Sequence, residues 1–172
     1  MLKYVDTKVT FSEVPDEISL CISISNCPNH CKGCHSSYLA ENIGKPLIDY
    51  PEDNSPIYKI YIDDLIEANK GITCVCLMGG DNDIGLINVL AHYIKVKYNL
   101  KVAWYSGKDE ISYVAFQYLD YMKIGSYKEE LGPLNSKTTN QRMYKIEYVH
   151  NEDGSFSYEF KDITKKFWKN YA

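Results

Sequence analysis

Cys27-Pro28-Asn29-His30-Cys31-Lys32-Gly33-Cys34 is the stretch that decides how this chain is read. Its three thiols follow a C-x3-C-x2-C spacing, which gives a short loop the slack to turn three sulfurs toward one point. Thiolates suit soft metal centres. A cubane iron–sulfur cluster ordinarily takes four protein thiolates, one per iron. A group of three therefore leaves one iron open to a ligand that is not protein. In zinc proteins an open coordination position separates catalytic sites from closed structural ones, and the same argument applies here. Pro28 stiffens the loop at its start, and Gly33 lets the backbone turn tightly before the last sulfur. Two plainer readings fit the same spacing. The thiols can hold zinc with His30 or His35 as a fourth ligand, or they can be a redox pair with a third cysteine to spare.

The segments around this loop predict an α/β chain. Residues 18–25 alternate apolar and polar side chains, which reads as a strand that delivers the chain straight into the cysteine loop. Cys21 falls on the polar phase of that strand and reads as a packed thiol. Residues 72–78 are nearly all apolar, as in a strand buried on both faces. Cys74 and Cys76 are two apart within it, so they share a side, where small buried hydrophobes are expected rather than a second metal site. Residues 84–98 read as a long amphipathic helix, 101–105 and 121–124 as further short strands, and 35–41, 61–69 and 110–119 as helices. Residues 47–57 hold two prolines among Asp and Asn and read as a loop. The repeat of strand, polar turn, helix and strand implies a parallel sheet with right-handed crossovers.

The chain of 172 residues fits one domain, and 45% hydrophobic residues supply a sizeable core. Within that domain, residues 1–17 are expected to form an N-terminal edge strand or hairpin. Residues 143–172 are expected to form a C-terminal hairpin, turning at Asp153-Gly154, and a tail. A complete eight-stranded α/β barrel usually needs about 250 residues, so any barrel here must be partial. The net charge is −4 and no basic run stands out, which argues against nucleic acid as the main partner. No apolar stretch approaches the ~20 residues needed to cross a membrane, and residues 1–6 lack the apolar run of a signal peptide. A cytoplasmic location is expected, where thiols stay reduced. Six cysteines in that compartment point to metal or catalysis rather than disulfides.

In open α/β folds, ligands bind at the carboxyl ends of the parallel strands. Four polar turns are expected on that rim: the cysteine loop, Gly79-Gly80-Asp81, Tyr105-Ser106-Gly107 and Gly125-Ser126-Tyr127. Paired glycines allow close backbone approach to a ligand, and an adjacent carboxylate pairs with an ammonium group. Ser106 is either a hydrogen-bonding group for a ligand or a strand cap. Arg142 offers a planar cationic fork for a carboxylate or a surface salt bridge. Lys123 is either a pocket charge or a solvated side chain.

The cysteine spacing resembles the three-cysteine motif of the radical S-adenosylmethionine superfamily. Lys32-Gly33 before the third cysteine resembles the activating proteins of anaerobic ribonucleoside-triphosphate reductases, whereas many other superfamily members carry an aromatic residue there. Gly79-Gly80-Asp81 resembles the superfamily's Gly-Gly-Glu turn, with an acid one methylene shorter. Residues 121–127 and Asn140-Gln141-Arg142 also look like segments of the activating proteins. The resemblance runs from about Ile18 to Arg142 and implies a partial TIM-like barrel of parallel strands with outer helices. It implies that Cys27, Cys31 and Cys34 hold a [4Fe–4S] cluster. S-adenosyl-L-methionine would chelate the open iron, with Gly79, Gly80, Asp81, Ser106 and Arg142 around it. It further implies one-electron reduction by a donor such as flavodoxin, formation of a 5′-deoxyadenosyl radical, and hydrogen abstraction from a glycine of the reductase large subunit. An activase of another glycyl-radical enzyme, or a non-enzymatic zinc or iron–sulfur module, are the alternatives.

Overall fold

Nine strands hydrogen-bond into one mixed sheet in a computed structural model that describes residues 1–52, 55–110 and 116–168. The strands are β1 (Leu2–Thr10), β2 (Ser19–Ile24), β3 (Lys45–Asp49), β4 (Lys59–Ile60), β5 (Cys74–Met78), β6 (Lys101–Tyr105), β7 (Tyr121–Ile124), β8 (Arg142–His150) and β9 (Phe156–Asp162). Two α-helices accompany them among the described residues, α1 (Asp63–Ala68) and α2 (Ile84–Tyr98). The spatial order is β4-β3-β1-β2-β5-β6-β7-β8-β9. At its centre β2, β5, β6 and β7 run parallel in chain order, and the flanking pairs are antiparallel. The turns that follow these four strands therefore share one rim.

Strand periodicity sorts the side chains into two layers. Leu20, Ile22, Val75, Leu77, Val102, Trp104 and Met122 point to one face and pack against Leu86, Ile87, Leu90, Ala91 and Ile94 of α2. That helix buries one stripe. Asp83 caps its start by accepting from Leu86 N–H at 3.1 Å, and Asn99 closes it in the left-handed region with φ of 53°. Fully burying each large aliphatic side chain in this layer is worth roughly 1.5–3 kcal/mol. The opposite face carries Cys21, Cys74, Cys76, Ala103, Tyr121 and Met143, covered by Val14, Leu134, Ile163 and Phe167. The parallel register sets Cys21 beside Cys76. Burial pushes the Cys74 thiol up to about 12 and Cys76 well above its ordinary value. A neutral thiol is a poor nucleophile and a poor ligand, so Cys74 and Cys76 act as small packed hydrophobes, and Cys21 is buried in the same layer.

Three expectations are corrected by the structure. β1 is not an edge strand, because β3 pairs along its outer side. Residues 47–57 were expected to form a loop, but Leu47–Asp49 belong to β3. Pro46, ahead of them in the same strand, sits opposite Lys3, next to a register shift in β1, where a missing N–H is tolerated. The helix expected over residues 35–41 is one 3-10 turn, Ser37–Ala40. The helix expected over 110–119 lies largely outside the described residues, and Phe116–Tyr118 form a 3-10 turn. The C-terminal hairpin forms as β8 and β9, followed by a 3-10 turn at Thr164–Phe167.

At the other end of the parallel strands, Glu17 is only 5% exposed. Its carboxylate accepts from Thr73 Oγ1–H at 2.6 Å, Tyr121 O–H at 2.9 Å and the Lys101 ammonium. Burial alone would raise its pKa; these three donors outweigh burial and hold it below the ordinary value. A carboxyl whose folded pKa is depressed contributes stability above its unfolded pKa of about 4.3 and loses it as pH falls through the folded value. Glu17→Gln is therefore expected to lower the melting temperature near neutrality. The gap to the unmodified protein should close as pH drops below about 4.3. Melting curves across about pH 3 to 7 check this; a gap that does not change with pH counts against it.

Candidate cofactor site at the carboxyl ends of the parallel strands

The cysteine loop leaves β2 at Ile24 and is anchored at its start by main-chain bonds. Ser25 N–H donates to Lys3 carbonyl at 3.0 Å, Asn26 N–H to Glu41 carbonyl at 2.9 Å and Cys27 N–H to Leu39 carbonyl at 2.9 Å. The loop needs left-handed backbone at Asn26, His30 and Gly33 (φ 61°, 46° and 72°), and Asn and Gly tolerate that region best. Cys34 N–H donates to Cys31 carbonyl at 3.2 Å, closing a tight turn around Gly33. All three thiols are free and half-buried.

One carboxylate ties this loop to the neighbouring turns. Asp81, buried after β5, accepts from Asn29 Nδ2 at 2.6 Å, from Ser106 Oγ–H at 2.5 Å and from Gly107 N–H at 2.7 Å. Asn29 Nδ2 also lies 3.6 Å from Cys27 Sγ. Ser106 is 1% exposed, and its Oγ accepts from Lys108 N–H at 3.0 Å. The three turns after β2, β5 and β6 thus meet at one side chain. Gly107 is required for that meeting, since a Cβ there would come within 2.4 Å of Asn29 Nδ2.

Gly79 and Gly80 are also needed for packing. Both have positive φ (109° and 89°). A Cβ at Gly79 would lie 2.8 Å from the Ile24 carbonyl, and one at Gly80 would lie 2.4 Å from Ile87 Cδ1. The Gly79 carbonyl accepts from Trp104 Nε1–H at 2.7 Å, which fixes the turn to the helix-side core. The paired glycines seat the turn against β2 and α2, and so aim Asp81 at the cysteine loop.

The fourth turn joins through the backbone. Ser106 N–H donates to Lys123 carbonyl at 2.8 Å and Gly125 N–H to Lys108 carbonyl at 2.7 Å. Gln141 Nε2 donates to Gly125 carbonyl at 3.2 Å and Asn140 Nδ2 to Ser126 carbonyl at 2.9 Å. Arg142 is held apart from the Asp81 network. Its Nη1 donates to the carbonyls of Thr139 and Gln141, each at 2.8 Å, and its Nε lies 3.8 Å from the Asp162 carboxylate.

A cleft of about 650 Å³ opens beside these turns on the thiol-bearing face, lined in part by His35, Met78, Tyr105, Lys123, Leu134 and Gln141. Burial pulls the Lys123 amine down to about 8, against the opposing pull of Asp81, Cys31, Cys34 and Asp109. Lys123 is half-buried and lines this cleft. Its alternation with Met122 and Ile124, both on the helix side, is the signal that places it inward. Asn29 and Gly107 are the contributors that sequence reasoning missed. No residue type or spacing marks either; they matter because chain segments 52 and 26 residues apart in sequence meet at Asp81.

Among the described residues, no three His, Cys, Asp or Glu side chains are gathered into a group that could hold a metal ion. The donor set nonetheless has the chemistry that a cluster requires. It is three free, half-exposed thiols on one loop without regular secondary structure, with an amide donor beside one sulfur. Metal ligands commonly converge as the metal binds, because the site and its ion form together. No protein-family model, curated protein or solved structure matches this chain in comparison. No helix among the described residues is long and apolar enough to cross a membrane.

Proposed function

We propose that this chain is an iron–sulfur, S-adenosyl-L-methionine-dependent activase that generates a glycyl radical on an anaerobic ribonucleoside-triphosphate reductase. The observation that carries this reading is the knot at Asp81, which joins the C-x3-C-x2-C loop to the turns after two further parallel strands. Cys27, Cys31 and Cys34 would hold a [4Fe–4S] cluster. With S-adenosyl-L-methionine bound, that cluster supplies one-electron reductive cleavage of a carbon–sulfur bond, and the protein supplies ligation, orientation and exclusion of water.

In this reading β2, β5, β6 and β7 are the wall of a shortened barrel, with α2 outside and the cleft inside. Gly79 and Gly80 hold the turn, and Asp81 keeps part of its acceptor capacity for the ligand's amino group, since a carboxylate has roughly four acceptor sites. Ser106 fixes the orientation of Asp81. Arg142 sits at the rim, where it reaches a ligand or partner carboxylate by releasing Asp162. The cleft is open on one side, so a loop of the reductase large subunit can enter it. The reductant is a one-electron donor such as flavodoxin, and the setting is cytoplasmic.

The test is anaerobic mixing of the cluster-loaded protein with reductant, S-adenosyl-L-methionine and the reductase. A glycyl radical signal by electron paramagnetic resonance is the expected result. Its absence, when a known activase produces the signal on the same reductase, overturns the proposal.

A further inference from the structure

Ser106 touches two opposite charges. Its Oγ–H donates to the Asp81 carboxylate at 2.5 Å, and its carbonyl lies 3.5 Å from Lys123 Nζ. The Gly125 carbonyl accepts from the same ammonium at 2.9 Å. Lys123 also lines the cleft of about 650 Å³, a volume suited to a small molecule. The other lysine in the cleft lining, Lys166, is matched by Asp16 at 2.5 Å. Among the described residues, no carboxylate forms an ion pair with Lys123. Asp81, the carboxylate that acts on it most strongly, is already taken by three donors. A half-buried cation without an anion is costly until one arrives. Arg142, the carboxylate fork expected from the sequence, is placed differently. Its guanidinium is engaged by the Thr139 and Gln141 carbonyls beside Asp162, and the described residues lining the cleft do not include it.

We propose that Lys123, rather than Arg142, is the carboxylate-binding residue of the cleft, and that the group it receives is the carboxylate of an α-amino acid. The inference rests on the function proposed above, in which that group is the amino-acid end of S-adenosyl-L-methionine. An ammonium has three donors, so the Gly125 and Ser106 carbonyls aim it without neutralising it and leave one N–H for a ligand. A carboxylate meeting that ammonium makes a charge-assisted hydrogen bond, about twice as strong as a neutral one. An α-amino acid carries both of its charges on one carbon, and the site offers the opposite pair, Lys123 and Asp81, tied to one residue. A phosphate would match the cation and be repelled by the acid beside it. Arg142 then remains for a carboxylate of the partner protein.

The experiment measures binding by calorimetry to the full chain, iron-loaded and metal-free, since in the metal-free form only protein groups can hold the carboxylate. Two probes are compared: S-adenosyl-L-homocysteine, and S-adenosyl-3-thiopropylamine, which keeps the amine and lacks the carboxylate. The unmodified chain is expected to bind the first roughly tenfold tighter or more in both forms. Lys123→Met and Lys123→Gln should lose that preference in the metal-free form while binding the thiopropylamine as before. Lys123→Arg should keep part of it, and Lys166→Met all of it. Melting temperatures are taken first; Gln keeps a donor for the Gly125 carbonyl, so it carries the test if Met fails to fold. Folded Lys123 variants that retain the full preference overturn the proposal, as does equal binding of the two probes by the unmodified metal-free chain. Loss of the preference in Arg142→Gln but not in Lys123→Gln overturns it too. If neither probe binds the iron-loaded chain, the proposed function fails and this subsite with it, an outcome distinct from binding that is indifferent to Lys123.

Discussion

Replacing Cys27, Cys31 or Cys34 with alanine is expected to abolish iron and sulfide uptake and, with it, release of 5′-deoxyadenosine from S-adenosyl-L-methionine. The three thiols lie on one loop, and each would hold a different iron, so none can stand in for another. Losing even an outer-shell partner typically costs a metal site roughly 10–100-fold, and losing a direct ligand costs more. The contrast with the other three cysteines sharpens the test. Cys21, Cys74 and Cys76 are buried on the sheet, at most 4% exposed, with Cys74 and Cys76 held neutral by burial. Replacing them should leave iron content unchanged, at a cost in stability of about 1 kcal/mol for the small cavity. Iron, sulfide and zinc per chain, measured on anaerobically purified protein, check both halves. Iron-loaded single variants of the loop cysteines would sink the cluster assignment. Stoichiometric zinc in a colourless protein would move it to the structural-metal reading.

What could be read along the chain, and what could not, divides by how local the cause is. β2, β5, β6, β7 and α2 stand where apolar periodicity puts them, because alternation and the helical stripe are properties of a few consecutive residues. β3 was missed because Pro46 argues against a strand unless its missing N–H can sit at an irregular position, and only the pairing with β1 reveals that it does. The interior place of β1 followed from the same omission. Nothing local in the sequence marks Glu17, yet it is buried against donors from three different segments, Thr73, Lys101 and Tyr121. Within the site, the cysteine loop and the glycine turn were legible as motifs. The knot between them was not, since the side chains that make it are 25 to 52 residues apart in the chain. The glycines were legible by type but not by reason: their missing Cβ atoms make room for Ile24 and Ile87.

Asp81→Ala is expected to destabilise the fold by about 2–4 kcal/mol and to loosen the cysteine loop. The substitution removes the shared acceptor of three donors, two of which belong to Ser106, 1% exposed, and the main chain of Gly107. Each buried donor left without a partner costs roughly 1–3 kcal/mol, and water entering the cleft offsets part of that sum. For a chain of this size such a loss lowers the melting temperature by very roughly 5–15 °C. Asp81→Glu should also destabilise, although glutamate is the residue of the superfamily turn that this one resembles. The bonds of 2.5–2.7 Å around the shorter acid leave no room for another methylene without displacing Asn29. The decisive measurement is a double-mutant cycle with Asn29→Ala. Direct contact predicts a coupling above the roughly 0.3–0.5 kcal/mol within which independent sites add. The same variants should lose iron to a chelator faster than the unmodified protein, because the bond from Asn29 is what holds the cysteine loop to the β5 turn. Additive stabilities and unchanged chelation rates would mean that Asp81 ties nothing to the loop, and the knot would lose its place in the argument for function.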